Sequence, residues 1–128
     1  MKPEREAKIV EAYPSYFPDI HGDPAKTCLA WGLAIGNGWA DLFEKLCADI
    51  KATNPEDFKF EQVKEKFGGL RAYYSGGSNE VGKLVSAAEA DSYNVCEECG
   101  SRDDVTSEGA WITTLCGKCR SKLHAVKS

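Results

Sequence analysis

Apolar positions recur at helical spacing most clearly between Trp39 and Ile50. There Trp39, Leu42, Phe43, Leu46, Cys47 and Ile50 form one stripe, the mark of a helix with a single buried face. A shorter helix opens the chain over Pro3 to Tyr13: Pro3 takes its first position, Glu4 and Glu6 its first turn, Ile9, Val10 and Tyr13 one side, and Pro14 stops it. Residues 14–22 read as a loop rich in proline and aromatics. Asp23-Pro24 then signals the start of a helix predicted to run through Ile35 and to end at Gly36. Another helix is expected from Asn79 to Tyr93, burying Val81, Leu84, Val85 and Ala88.

The segment between the last two helices admits two readings. Over residues 58–67, Phe60, Val63 and Phe67 fit a helical face, and Asn54-Pro55-Glu56-Asp57 resembles a helix start. Gly68-Gly69, however, is a two-residue hairpin turn, and Leu70 to Tyr74 has strand composition. The hairpin with Phe67 opposite Leu70 places Val63, Phe67, Leu70, Ala72 and Tyr74 on one side, with Glu65 discordant. Lys64, Lys66, Arg71 and Tyr73 fall on the other.

Chemistry enters at the end of the chain. Cys96-x2-Cys99 and Cys116-x2-Cys119 are separated by sixteen residues, a spacing that points to a structural zinc site, with a redox pair or a disulfide pair as the alternatives. Each Cys-x2-Cys turn aims two thiolates at one ion, and the intervening chain returns the second pair to complete a tetrahedron. Gly100 supplies the conformation needed after the second ligand, Ala110 to Leu115 is a strand candidate, and the residues after Cys116 look helical. Knuckle, hairpin and ligand-bearing helix make a treble-clef-like module; a zinc ribbon, ending in a second knuckle, is the alternative. One structural Zn²⁺ per chain is expected, with Trp111 covering the site. The predicted fold class is therefore α+β: about four helices and a β-hairpin, divided into a core over residues 1–95 and a zinc-binding module over 96–128 packed on it.

Composition narrows the partner. The chain has 128 residues, 42% of them hydrophobic and 28% charged, which suits a soluble folded protein. Its apolar runs are too short for a membrane span, and Met-Lys-Pro-Glu-Arg-Glu is no signal peptide. A cytoplasmic setting follows, where thiols stay reduced and suit a metal. The net charge of −4 arises in residues 1–95, with 15 acidic and 11 basic side chains, against five of each in residues 96–128. An acidic body argues mildly against a dedicated nucleic-acid binder.

Candidate sites each have a plain structural reading beside the functional one. Lys64, Lys66, Arg71 and Tyr73 could bind a polyanion, or be a solvated strand face neutralised by Glu61 and Glu65. Lys118, Arg120 and Lys122, with Lys127 beyond, could follow a phosphate backbone, or merely complement a helix dipole. Cys28 and Cys47 read as buried free cysteines. His21 and His124 are the only histidines; His124 could be an alternative zinc ligand, but the cysteine set is complete without it. A treble-clef metal-dependent nuclease would draw on Asp103 and Asp104 yet lacks a histidine base in its hairpin, so an enzyme ranks last.

The string Gln62 to Arg71 and the following Tyr73-Tyr74-Ser-Gly-Gly resemble a motif of small uncharacterised bacterial and phage proteins. In those, Gly-x-Gly-Trp precedes it (here Gly36 to Trp39), and segments like Cys96 to Gly100 and Trp111 to Cys116 follow. The resemblance covers residues 36–119 and implies a bacterial or phage setting, with no activity attached. The leading expectation is a zinc-stabilised binding protein whose partner is another protein, recognised through an exposed aromatic loop at Tyr13, Tyr16 and Phe17. A nucleic-acid-binding zinc-finger module is the alternative, and no membrane association is expected.

Overall fold

A computed structural model describes the backbone of residues 1–127 and the side chains through Leu123; the side chains of His124 and Lys127 lie outside the described residues. Four helices and two small sheets make an α+β fold. Helix α1 spans Pro3–Ala12 and rests on α2, Ala40–Ala52, where Arg5 reaches Asp41 and Glu44 at 2.5 and 2.9 Å. Strand β1, Leu33–Ala34, pairs in parallel with β2, Lys59–Lys66, which pairs antiparallel with β3, Gly69–Ser75. Helix α3, Asn79–Asp91, packs on β3 and α2. Beyond it, β4, Thr106–Glu108, and β5, Thr113–Leu115, form a second hairpin, and α4 runs over Gly117–Lys127. No helix among the described residues is long and apolar enough to cross a membrane.

Phe60 is the centre of the core. Its ring lies 5.3 Å from Phe17, 5.1 Å from Phe43 and 4.9 Å from Phe58, and Trp39, Leu29, Leu33, Val63 and Leu70 complete the buried set. This packing overturns the exposed aromatic loop: Tyr16 and Phe17 are 8% and 2% exposed, because the loop after α1 folds them onto Phe58 and Phe60.

The helix expected from Asp23 to Ile35 does not form. Asp23 closes a single turn, its carbonyl receiving the Lys26 and Thr27 amides. Thr27 is then extended, and its hydroxyl accepts the Leu29 amide to start a 3₁₀ turn at Cys28–Trp31. Gly32, at φ +73°, turns the chain out of that helix, and the Glu6 carboxylate takes the Leu33 amide at 3.0 Å. Cys28 is consequently exposed rather than buried, whereas Cys47 is buried as expected.

The hairpin forms, in a different register. Lys66 pairs with Gly69 and Glu65 with Leu70, so Phe67 and Gly68, at φ +53° and +81°, make the turn. Positive φ at both central residues is the two-residue turn that matches strand twist. The shift of pairing is even, so Val63, Leu70 and Ala72 stay inward; only Phe67 leaves the buried side for the tip. The free edge of β3 is covered by side chains, Ser92 accepting the Leu70 amide at 2.9 Å and Glu89 the Ala72 amide at 3.0 Å.

Candidate metal centre and the face beside it

Cys96, Cys99, Cys116 and Cys119 converge as the spacing requires. All four sulfur atoms lie within 4.8 Å of one another, and Cys99 Sγ is 3.6 Å from Cys116 Sγ. Four thiolates about 2.3 Å from one zinc ion would stand about 3.8 Å apart along each tetrahedral edge, so the donor set fits a single ion of that kind. Cys96 and Cys99 flank a tight turn in which the Gly100 amide donates to the Cys96 carbonyl and Gly100 sits at φ +82°. Cys116 directly follows β5 and Cys119 lies in the first turn of α4. The Cys119 backbone N–H beside it brings the Cys116 thiol down to about 7, while burial pushes Cys119 up. A divalent cation held there would resolve that opposition by binding every sulfur as thiolate.

The cysteine cluster has little core of its own, with Leu115 buried and Val105 packed against it. It is held instead by the larger core. Gly38 donates its amide to Glu97 O at 2.9 Å, and the fully buried Trp39 donates its indole N–H to Val95 O at 2.8 Å. A side chain at Gly36 or Gly38 would run into the backbone of residues 96–100. At the other end, Thr114 donates its hydroxyl to Gly68 O and bonds Ser107, while the Glu97 carboxylate accepts the Thr114 amide. Arg102 grips Asp91 of α3 with two hydrogen bonds, at 3.0 and 2.8 Å. The four segments Gly36 to Trp39, Lys66 to Gly69, Cys96 to Gly100 and Trp111 to Cys116 therefore meet at one seam.

Trp111 does not cover the cysteines. Residues 109–112 form the turn between β4 and β5 rather than a strand, leaving Trp111 82% exposed. Ile112 and Thr114 instead lie against Gly68 at the tip of the first hairpin.

The basic candidates divide between two places. Lys64 and Arg71 are cross-strand partners on the sheet face turned away from the core, Tyr73 pairs with Gln62, and Lys66 lies one residue before the tip. Each cation stands over a ring: Lys64 over Tyr73 at 6.0 Å, Lys66 over Phe67 at 5.6 Å and Arg71 over Tyr93 at 6.0 Å. Lys118, Arg120 and Lys122 belong to α4. Arg120 is engaged within the module by Asp104, Thr106 and the Leu115 carbonyl. Lys122 shares a cleft with Glu97 and Glu98. Of the nuclease candidates, Asp104 holds Arg120; His21, which is not one of them, lies far along the chain, hydrogen-bonded to Glu6.

Sequence reasoning missed Phe67 and Tyr93 as companions of the basic face. Gly69 carried the available signal, since a glycine beyond the turn's own need marks a close approach, here by the Tyr93 hydroxyl. In comparisons with known proteins, no family model, no curated protein and no solved structure matches this chain.

Proposed function

We propose that this chain is a small zinc-stabilised binding module of treble-clef type, which receives its partner on the outward face of the β1–β2–β3 sheet. The clustering of four cysteine sulfurs within 4.8 Å carries the first half of the reading. An all-thiolate set favours soft or borderline ions over Mg²⁺ or Ca²⁺, and zinc is the ion that four-cysteine modules of this spacing take. The order knuckle, hairpin, helix supports the treble clef over the ribbon, because the second ligand pair sits at a helix start rather than in a second knuckle. Zinc would supply folding energy to a module with little hydrophobic core.

The second half rests on exposure. Phe67 and Tyr73 are 66% and 44% exposed beside Lys64, Lys66 and Arg71, an aromatic and cationic surface on a rigid hairpin. A cytosolic, bacterial or phage setting accords with reduced thiols and with the sequence resemblance. A protein partner seated elsewhere is the second reading. It is favoured by the 790 Å³ groove between α2 and α3, floored by Leu42, Leu46, Leu84 and Ala88.

Site-specific photo-crosslinking in bacterial cells tests the face. A photoreactive residue at position 73 should give a discrete cross-linked product, and one at the exposed Glu11 on α1 should not. Equal labelling from both positions, or none from position 73, would contradict the reading.

A further inference from the structure

We infer that the outward sheet face is a single-stranded nucleic-acid site, with Arg71 as its phosphate anchor and Tyr73 and Phe67 as base-stacking platforms; this rests on the face being the binding surface. The chain has four arginines. Arg5, Arg102 and Arg120 each hold a carboxylate, at 2.5 to 2.9 Å. Arg71 does not. Its two terminal nitrogens donate instead to the Tyr93 hydroxyl and the Leu70 carbonyl, both at 2.9 Å, and its Cζ stands 6.0 Å from the centre of the Tyr93 ring. The Tyr93 hydrogen bond is also the main reason its guanidinium is held firmly charged. Glu89, whose charge acts on it, is occupied by the Ala72 amide.

An arginine fixed by neutral partners keeps its full charge, and its remaining N–H directions are free for an anion. Lys64 and Lys66 lie on the same two strands and form no ion pair among the described residues. Three positive charges without a carboxylate partner, interleaved with exposed rings, complement a chain of phosphates carrying unpaired bases. An acidic peptide would use the cations but leave the rings idle. A duplex hides its base faces and would use the rings no better.

The test is fluorescence anisotropy with zinc-loaded protein. The probes are labelled oligothymidylate, oligouridylate and a duplex, each of about 12 nucleotides or base pairs, at about 50 and 200 mM salt. Both single strands should bind more tightly than the duplex, and three phosphate contacts predict a loss of about 20-fold between the two salt concentrations. Arg71→Gln, and independently the exposed Lys66→Gln, should weaken binding and flatten the salt slope by about 0.7 each. Tyr73→Ala should weaken binding by about 5- to 100-fold with the slope unchanged. Preference for one single strand, set by the 2′-hydroxyl or the thymine 5-methyl, leaves the inference standing; equal binding of both supports recognition of the shared phosphates and base faces.

No binding at low salt would overturn the inference, as would duplex binding indifferent to Tyr73→Ala. If cross-linking from position 73 nevertheless captures a protein, the binding face stands and only its ligand class falls.

Discussion

Replacing Gly38 by alanine should uncouple the cysteine module from the core. Gly38 is not in the left-handed region, so alanine meets no backbone strain there and the whole effect is steric. The new Cβ would lie 2.6 Å from Gly100 N and 2.7 Å from the Glu97 carbonyl carbon, and closer still to Cys96 O. Ordinary contacts settle at about 3.5 Å, so the knuckle must withdraw by roughly 1 Å. All the obstructing atoms are backbone, held by the cysteine cluster, and cannot rotate away. Withdrawal loses the 2.9 Å hydrogen bond from Gly38 to Glu97 O, worth about 1 kcal/mol. Overpacking adds about 1–3 kcal/mol. The expected loss is thus about 2–4 kcal/mol, or about 30- to 1000-fold in the docked population. Urea unfolding of the zinc-loaded protein, with chelator competition for the metal, should show both lower stability and weaker metal retention. Gly82→Ala is the control: just past the first turn of α3 its Cβ meets only the Tyr74 hydroxyl, at 3.1 Å, and helix propensity favours alanine by about 0.5–1 kcal/mol. A Gly38→Ala protein as stable and metal-retentive as its parent would refute the seam.

Three further outcomes are expected. Cys96→Ser should abolish stoichiometric metal binding and speed amide exchange across residues 96–123, while the Phe60 core stays protected; unchanged exchange there would contradict a metal-built module. The Arg102 hydrogen bonds hold the Asp91 carboxyl below its usual range, so its stabilisation is present at neutral pH and is lost as pH falls below about 4 through the folded value. Asp91→Asn should therefore cost about 1 kcal/mol or less at pH 7 and flatten the acid side of the stability curve; an unchanged acid limb would dismiss the pair. Iodoacetamide should modify exposed Cys28 in the native protein and reach Cys47 only on unfolding, since burial encloses that thiol and pushes its pKa up. Equal native labelling of the two would contradict the packing around α2.

Local signals reported what local forces decide. The stripe from Trp39 to Ile50 became α2 because one face of it meets the aromatic core, and Pro3 and Pro14 bracket α1. The two Cys-x2-Cys pairs specified their own cluster, since the metal-ligand geometry is written in the spacing. Between Asp23 and Ile35 the local signal lost to distant partners. Glu6, twenty-seven residues upstream of Leu33, captures that amide, and β2 pairs with Leu33 and Ala34. No local propensity encodes those contacts. The turn register failed for a related reason. Gly69 looked like a turn residue, but Tyr93 requires it bare, and Glu65 fixes the tip by accepting the Gly68 amide at 2.6 Å. Trp111 and the Tyr16–Phe17 pair exchanged their expected exposures because burial of an aromatic depends on which loop reaches the core.

The central claim is that four cysteine thiolates hold one zinc ion and so build the C-terminal module against the core. X-ray absorption at the zinc edge of purified protein, combined with metal analysis, tests it most directly. One zinc per chain is expected, in a shell of four sulfurs at about 2.3 Å that Cys96→Ser disrupts. A metal-free protein with an ordered C-terminal segment, or a shell containing nitrogen or oxygen ligands, would contradict it.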